Sequence, residues 1–138
     1  MAAPAVFMDT AALLALNNPR DELHAKAVEI ERQLAANRAR LVTSDWVLGE
    51  FLGGASLPPT RGAAASMIHV LQRSRHALIV PATRADWQRA FELFCSRPDK
   101  EWSLVDCTSM LICHEHGIRD VFTHDRHFSQ AGFGILIP

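Results

Sequence analysis

AVFMDTAALLAL, residues 5–16, has the pattern of a strand followed at once by the pattern of a helix. Its first four residues form an apolar run bounded by Pro4 and Asp9, which predicts a short buried strand. Helix formers from Ala11 to Leu16 follow directly, and the Asn-Asn-Pro sequence at 17–19 ends the predicted helix. A buried strand that leads at once into a helix is typical of a protein built on a parallel sheet.

The same alternation of strands and helices continues along the chain. Four more short strands are predicted at residues 40–43, 77–80, 120–123 and 134–137. Helices are predicted at residues 21–36, 45–52, 60–75, 87–95 and 104–116. Because the strands are short, apolar and separated by helices, we expect an α/β fold with three layers, α/β/α, around a roughly five-stranded parallel sheet.

Composition limits the class of protein. A chain of 138 residues with no internal repeat or linker is expected to form a single domain, residues 1–138. Hydrophobic residues make up 49% and charged residues 21%, which excludes wholesale disorder. No leader pattern and no long apolar run is present, so we expect a cytoplasmic protein without membrane contact. The net charge of −1 means that any polyanion must be held locally, by a metal or by arginines.

The three cysteines do not form a recognisable set. Cys95, Cys107 and Cys113 are odd in number, and their spacing matches no zinc or redox motif. We therefore expect each of them to pack as a small hydrophobic residue, without a disulfide.

Four acidic residues stand where apolar elements begin or end. They are Asp9, Glu50, Asp106 and Asp125. Carboxylates so close to buried surface are costly unless something pairs with them. If the fold brings the four together, their natural partner is a hard divalent cation, and the chemistry is metal-assisted reaction at a phosphate.

The predicted elements place the acids near one another and near packed surface. Asp9 and Asp125 each follow a predicted strand, and ligands of open α/β sheets bind beyond the carboxyl ends of the strands. Asp106 shares a helix face with apolar residues, and Glu50 lies at the edge of the apolar face of its helix. We expect both of these side chains to point toward packed structure.

Each acid also has a purely structural explanation. Ser103 and Asp106 have the form of a capping box, and Asp9 and Asp125 are suited to cap helices. Glu50 could pair with an arginine, but capping cannot explain a carboxylate six positions into a helix. The four acids together therefore favour a metal site over four separate structural roles.

Four motifs resemble those of the PIN-domain ribonucleases, and specifically the VapC-type toxins of bacterial toxin–antitoxin pairs. The motifs are MDTAALL at 8–14, VTS at 42–44 with VLGEF at 47–51, WSLVDC at 102–107 and THDRHF at 123–128. Their order and spacing match over essentially the whole chain. The resemblance implies a five-stranded parallel sheet and a site with one or two Mg²⁺ or Mn²⁺ ions. The implied metal ligands are Asp9, Glu50, Asp106 and Asp125.

The resemblance also implies an activity and partners. The activity is hydrolysis of an RNA phosphodiester that leaves a 5′-phosphate and a 3′-hydroxyl, with Thr10 and Thr123 orienting ligands or a bound water. The expected partners are the RNA substrate, a cognate antitoxin and a second copy of the chain. Apolar faces on the predicted helices at 45–52 and 60–75 are the expected surfaces for the two protein partners.

Some alternatives stay open on the sequence alone. A non-catalytic PIN-like scaffold, which binds a protein or an RNA in the same cleft, is the main alternative function. His124 and Gly49 depart from the usual motif, but neither change removes an acid. Whether His124, His127, Trp46 or Trp102 contacts RNA is also open. An Asp-based phosphohydrolase is disfavoured, because it needs a second Asp where this chain has Ala11.

Overall fold

The computed structural model describes residues 4–138. The strands of this part of the chain are β1 (Ala5–Met8), β2 (Arg40–Ser44), β3 (Ala77–Val80), β4 (Asp120–Phe122) and β5 (Gly134–Ile135). Its helices are α1 (Thr10–Asn17), α2 (His24–Ala36), α3 (Asp45–Gly54), α4 (Pro58–Arg73), α5 (Arg84–Ser96), α6 (Leu104–His116) and α7 (Arg126–Gln130).

The five strands form one sheet in the order β3-β2-β1-β4-β5, and every neighbouring pair is parallel. This confirms the predicted α/β class with a parallel sheet flanked by helices. The central strand β1 has Val6, Phe7 and Met8 all buried, as expected for a strand covered on both faces. Met8 of β1 pairs with Phe122 of β4. The residues that follow these two strands therefore emerge side by side at one edge of the sheet.

Buried aromatic side chains hold the helices against the sheet. Phe7 and Phe122 come from the central strands, whereas Phe51 and Phe128 come from α3 and α7, and all four are fully buried or nearly so. Burial of one such side chain contributes roughly 1.5–3 kcal/mol. Phe128 is the last residue of the final sequence motif and lies in α7, so its burial fixes α7 next to the carboxyl end of β4.

Several predicted boundaries differ from the observed ones for local reasons. Helix α2 begins at His24, because the Asp21 carboxylate accepts a hydrogen bond from Leu23 N at 2.8 Å and holds a turn before the helix. Helix α4 begins at Pro58, two residues before the predicted start, because proline suits the first turn of a helix, where its missing N–H is not needed. Helix α7 was not predicted, because a five-residue helix has too few turns to show an apolar period.

The apolar stripe predicted along α5 is only partly covered. Ala90 is buried, but Phe91 and Phe94 are 42% and 48% exposed, and Cys95 is exposed too. The expectation that every cysteine is packed is therefore wrong for Cys95. Helix α5 packs mainly against α6. This one neighbouring helix covers only part of the width of the apolar stripe.

The other two cysteines behave as predicted. Cys107 and Cys113 are buried in α6, and no disulfide is present among the described cysteines. Burial raises the pKa of the Cys107 thiol to about 11 and that of the Cys113 thiol to about 12. Both thiols therefore stay protonated and serve as small packing groups.

Within residues 4–138, no helix is both long enough and apolar enough to cross a membrane.

Candidate metal centre

The candidate centre lies at the carboxyl edge of the two central strands, and Asp9 is its most buried acid. Asp9 follows β1, is 4% exposed, and donates its backbone N–H to the Phe122 carbonyl at 3.2 Å. It occupies the cap position of α1, yet its side chain makes no capping hydrogen bond. Its carboxylate is instead directed across the sheet edge toward the end of β4.

Thr123 links Asp9 to a second acid. Its hydroxyl donates to Asp9 Oδ2 at 2.9 Å and accepts from the Asp125 backbone N–H at 3.0 Å. The Thr123 side chain is fully buried, so these two contacts fix the direction of its proton. The Asp9 carboxylate is thus held by Thr123, and the role of Thr123 in orienting ligands or a bound water stays a prediction.

Asp106, Asp125 and His127 form a compact cluster beside this link. One ligand atom from each of the three residues lies within 4.8 Å of the other two, and this is the only such group found in the described part of the chain. His127 Nδ1 is 2.9 Å from Asp106 Oδ2 and 3.3 Å from Asp125 Oδ1. Three of the four predicted acids are therefore brought to one place. Asp106 and Asp125 lie in the cluster itself, and Asp9 is joined to it by the hydrogen bonds of Thr123.

Helix caps hold two of these acids in position. Asp106 and Ser103 form the predicted capping box at the start of α6, with reciprocal side-chain to backbone bonds of 3.0 Å. Asp125 caps α7 by accepting from the His127 backbone N–H at 2.9 Å. Capping and cluster formation are thus not alternatives here, because a carboxylate has enough acceptor positions for both.

The pKa of Asp9 reflects its surroundings. Its pKa is raised from the ordinary value of 3.8 to about 7, mainly by burial and to a smaller extent by the nearby charges of Asp106 and Asp125. Hydrogen bonds from the Thr123 hydroxyl and the Thr10 backbone N–H oppose this rise. A buried acid that half-holds its proton at neutral pH becomes fully ionised once a cation is bound beside it.

The pKa of His127 is also raised by the neighbouring acids. Burial by itself would lower the pKa of its imidazole, but the hydrogen bond with Asp106 and the negative charges of Asp125 and Glu101 raise it overall. The sequence left the role of His127 open, with a satisfied surface histidine as the simpler explanation. The available signal was its position two residues after Asp125, which lets a helix cap bring the two together.

Glu50 does not lie in the cluster. Its side chain on α3 is exposed, so the expectation that it points toward packed structure is wrong. The buried face of α3 is formed by Val47, Leu48 and Phe51. At ~100° per residue, Glu50 projects about a quarter turn away from the centre of that face.

Thr10 adds an unusual polar atom to the site. The residue is buried beside Asp9, and its Oγ1 has no hydrogen-bond partner among residues 4–138. Unpaired buried hydroxyls are costly, and they often mark a position where a ligand or an ordered water completes the bonding.

The tryptophans near the acidic motifs differ in availability. Trp102 is buried, its Nε1 donates to Gln130 Oε1 at 3.2 Å, and the Arg97 guanidinium lies over its ring. It is therefore not available to stack on an RNA base. Trp46 is half-buried, and its Nε1 is buried without a partner.

The chemistry of these side chains fits a divalent ion. Carboxylate oxygens and an imidazole nitrogen are ordinary ligands for such ions, and the site supplies Asp9, Asp106, Asp125 and His127 at one sheet edge. The unpaired Thr10 hydroxyl is a further oxygen beside Asp9. Clustered negative charge of this kind is stable only when a cation or protons neutralise it.

Known proteins share this sequence pattern. The family model described as PIN domain matches residues 6–134. The chain is 31% identical over 134 residues to the 23S rRNA-specific endonuclease VapC20 of Mycobacterium tuberculosis. The aligned region covers 96% of this chain and 98% of the relative.

Solved structures share the fold. The crystal structure of Mycobacterium tuberculosis VapC20, a Sarcin-Ricin loop cleaving toxin, superposes with a TM-score of 0.80 at 28% identity, over 93% of this chain and 95% of that one. VapBC2 from Rickettsia felis, bound to a promoter DNA fragment, matches with a TM-score of 0.66 at 13% identity, over 95% of this chain and 96% of that one. FitAcB from Neisseria gonorrhoeae matches with a TM-score of 0.61 at 17% identity, over 94% of this chain and 95% of that one.

The last two likenesses bear on the fold alone, whereas the family model and the VapC20 similarity extend over nearly the whole chain. The four motifs, the parallel sheet and the acids at its carboxyl edge agree with both. This protein belongs to the PIN-domain family, and within that family it is similar to the VapC toxins.

Proposed function

We propose that this single-domain protein is a metal-dependent endoribonuclease and the toxin of a toxin–antitoxin pair. The observation that carries the proposal is the continuous chain of contacts from Asp9 through Thr123 and Asp125 to His127 and Asp106. Such a concentration of acids at the ligand-binding edge of an α/β sheet suits phosphate chemistry assisted by a cation. Membership of the PIN family and similarity to an endonuclease support the same activity.

The proposed cofactor is Mg²⁺ or Mn²⁺, as one or two ions. Asp9, Asp106 and Asp125 are the proposed protein ligands, and Glu50 joins them by rotation of its exposed side chain or through a water. Helix α3, which carries Glu50, packs against both α1 and α6, the helices that begin beside Asp9 and Asp106. Oxygen ligands and retained waters are the usual coordination of these ions.

The residues have distinct proposed tasks in hydrolysis. A bound divalent ion supplies an activated water and neutralises charge on the phosphate. Asp9 and Asp106 would hold the ion in a fixed place, and Thr123 keeps the Asp9 carboxylate turned toward the cluster. The unpaired Thr10 hydroxyl is placed to hold a water beside Asp9. In-line attack then leaves a 5′-phosphate and a 3′-hydroxyl.

The proposed substrate is a structured ribosomal RNA. The relative VapC20 is named for action on 23S rRNA, and we extend that substrate class to this chain. Arg126, exposed at the first position of α7 and one residue from Asp125, is the proposed contact for a phosphate next to the cleaved bond.

The proposed antitoxin site is an apolar cleft of about 370 Å³ between α2 and α4. Leu34, Leu41, Met67 and Leu71 are among its walls, and Met8 and Phe122 also line it. Because Met8 and Phe122 directly precede Asp9 and Thr123, an apolar segment bound in the cleft lies against the underside of the metal centre.

The proposed homodimer uses the apolar surface that α3, α4 and their connection leave uncovered. Leu57, which precedes α4, is 71% exposed, and Leu52 on α3 is also exposed. A sedimentation or light-scattering mass measured at high micromolar concentration tests this proposal, and a monomer there would contradict it.

The decisive experiment is cleavage of ribosomal RNA by the purified chain, with the RNA ends sequenced. We expect cleavage with Mg²⁺ or Mn²⁺, none with EDTA, and loss of cleavage by about 10²-fold or more in Asp106→Asn. Asp86→Asn, which changes an acid on α5 outside the cluster, is the matched control and is expected to cleave normally. RNA binding without any cleavage would instead favour the non-catalytic scaffold.

A further inference from the structure

We propose that His127 is itself a ligand of the bound ion, through Nδ1, and that it makes the centre prefer a first-row transition ion to Mg²⁺. The inference rests on the proposed metal-dependent function and adds a nitrogen ligand to a site otherwise made of carboxylates. None of the four acidic positions supplies such a ligand.

The distances at His127 carry the first part of the argument. Its Nδ1 lies 2.9 Å from Asp106 Oδ2 and 3.3 Å from Asp125 Oδ1. Neighbouring ligands of an octahedral ion with bonds of ~2.0–2.2 Å are about 3 Å apart. Nδ1 therefore already lies at about the spacing of a neighbouring ligand from each of the two carboxylate oxygens, although it must give up its proton to bind.

The backbone holds the imidazole at this position. The Asp125 carboxylate accepts a hydrogen bond from the backbone N–H of His127, and the next residue, Phe128, is fully buried against the core. Asp106 is fixed in turn by the Ser103 capping box. Little rearrangement is needed for the three side chains to close on one ion, which favours direct ligation over a distant electrostatic role.

Ligand type carries the second part of the argument. Mg²⁺ keeps oxygen ligands and several waters, whereas imidazole is a good ligand for transition ions. Removal of the nitrogen should therefore weaken transition-ion binding more than Mg²⁺ binding. A histidine that merely oriented Asp106 by a hydrogen bond would affect both ions alike.

His124 provides a matched control on the same loop. It lies three residues earlier, is exposed, and its Nδ1 is 3.3 Å from the Ile137 carbonyl. It does not belong to the cluster. His124→Gln therefore removes an imidazole from the same segment without touching the proposed ligand set.

The first experiment compares Mn²⁺ and Mg²⁺ affinities of the full chain. Free Mn²⁺ is counted by its electron paramagnetic resonance signal, and Mg²⁺ affinity is obtained by competition. We expect His127→Gln to weaken Mn²⁺ binding by about tenfold or more and Mg²⁺ binding by less than about threefold. His124→Gln should change neither affinity. Equal losses of both ions in His127→Gln would overturn the inference.

The second experiment uses the unmutated chain and so does not depend on how well a variant folds. Pulsed electron paramagnetic resonance of the Mn²⁺ complex should show the coupling of a directly bound imidazole ¹⁴N, and its absence would also overturn the inference. If the protein cleaves RNA with bound Mn²⁺ but lacks this coupling, only the role of His127 fails. If no ion binds at all, the proposed function fails with it.

Discussion

At the residue scale, the buried carboxyl group of Asp9 makes stability and metal binding depend on pH. Its pKa is about 7 in the folded protein and 3.8 ordinarily. Between these values the folded state holds a proton that the unfolded chain has lost, so the free energy of unfolding falls as the pH rises from about 4 to about 7. Above that window the full cost of an unpaired buried charge remains until a cation binds.

We therefore predict that Asp9→Asn stabilises the metal-free protein at pH 8 while it abolishes cleavage. The expected gain in the free energy of unfolding at pH 8 is about 2–4 kcal/mol, because the pKa of Asp9 is raised by roughly three units on folding. The gain should vanish near pH 4. Urea unfolding in EDTA at the two pH values measures it. An equal effect at both would show that the charge of Asp9 is not the cause.

Thr123 is the second residue whose hydrogen bonds have a measurable consequence. Thr123→Val keeps the shape but removes the hydrogen bonds to Asp9 and to the Asp125 backbone N–H, so the pKa of Asp9 should rise further and metal binding should weaken. We expect stability to fall by about 1–3 kcal/mol. Thr108→Val is the control, because the Thr108 hydroxyl bonds only the Val105 carbonyl of its own helix. Equal metal affinity in the two variants would contradict this role.

At the element scale, the start of α6 combines a helix cap with a site residue. Ser103→Ala is expected to lower stability by about 1 kcal/mol and also to reduce cleavage, because the Ser103 hydroxyl no longer accepts the backbone N–H of Asp106 and so no longer holds the turn of α6 that carries this acid. Thr83→Ala removes the corresponding cap of α5, where the Thr83 hydroxyl accepts from Asp86 N. It should cost similar stability without affecting cleavage. Parallel melting curves and cleavage rates separate the two contributions.

At the scale of the whole molecule, the cleft between α2 and α4 lies beneath the metal centre. Val70 lines this cleft and is 65% exposed, so Val70→Glu should leave folding and RNA cleavage intact. A charge there should prevent an apolar antitoxin segment from binding. Co-expression tests this: the variant should stay toxic beside the antitoxin, whereas Val28→Glu, a change outside the cleft, should be neutralised.

Local patterns were sufficient for much of the fold. The bounds of β1, β3 and α6 follow from apolar runs and their stop signals, and the observed bounds are the predicted ones. The capping box of Ser103 and Asp106 was also predicted, because its two residues are three apart and need no other part of the chain. Interactions of this range are encoded in neighbouring residues.

The covered and uncovered faces of helices were less predictable. Periodicity identified the apolar stripe of α5, but not that α6 alone would pack against it and leave Phe91 and Phe94 exposed. Likewise, Glu50 was placed on the correct helix and assigned the wrong direction. A helix pattern specifies which residues share a face, whereas the neighbour that covers the face is chosen by the rest of the chain.

Neighbouring residues carry enough information for the order of the strands, for every helix except α7 and for the parallel sheet, because periodicity and caps are properties of nearby residues. The four acids as one metal-binding set stay a prediction, and which side chains meet is a property of the folded chain alone. Thr123 reaches Asp9 across 114 positions of sequence, and His127 reaches Asp106 across 21. These contacts exist because β1 and β4 are paired in register and α6 and α7 begin at the same edge, and sequence separation carries no record of that proximity.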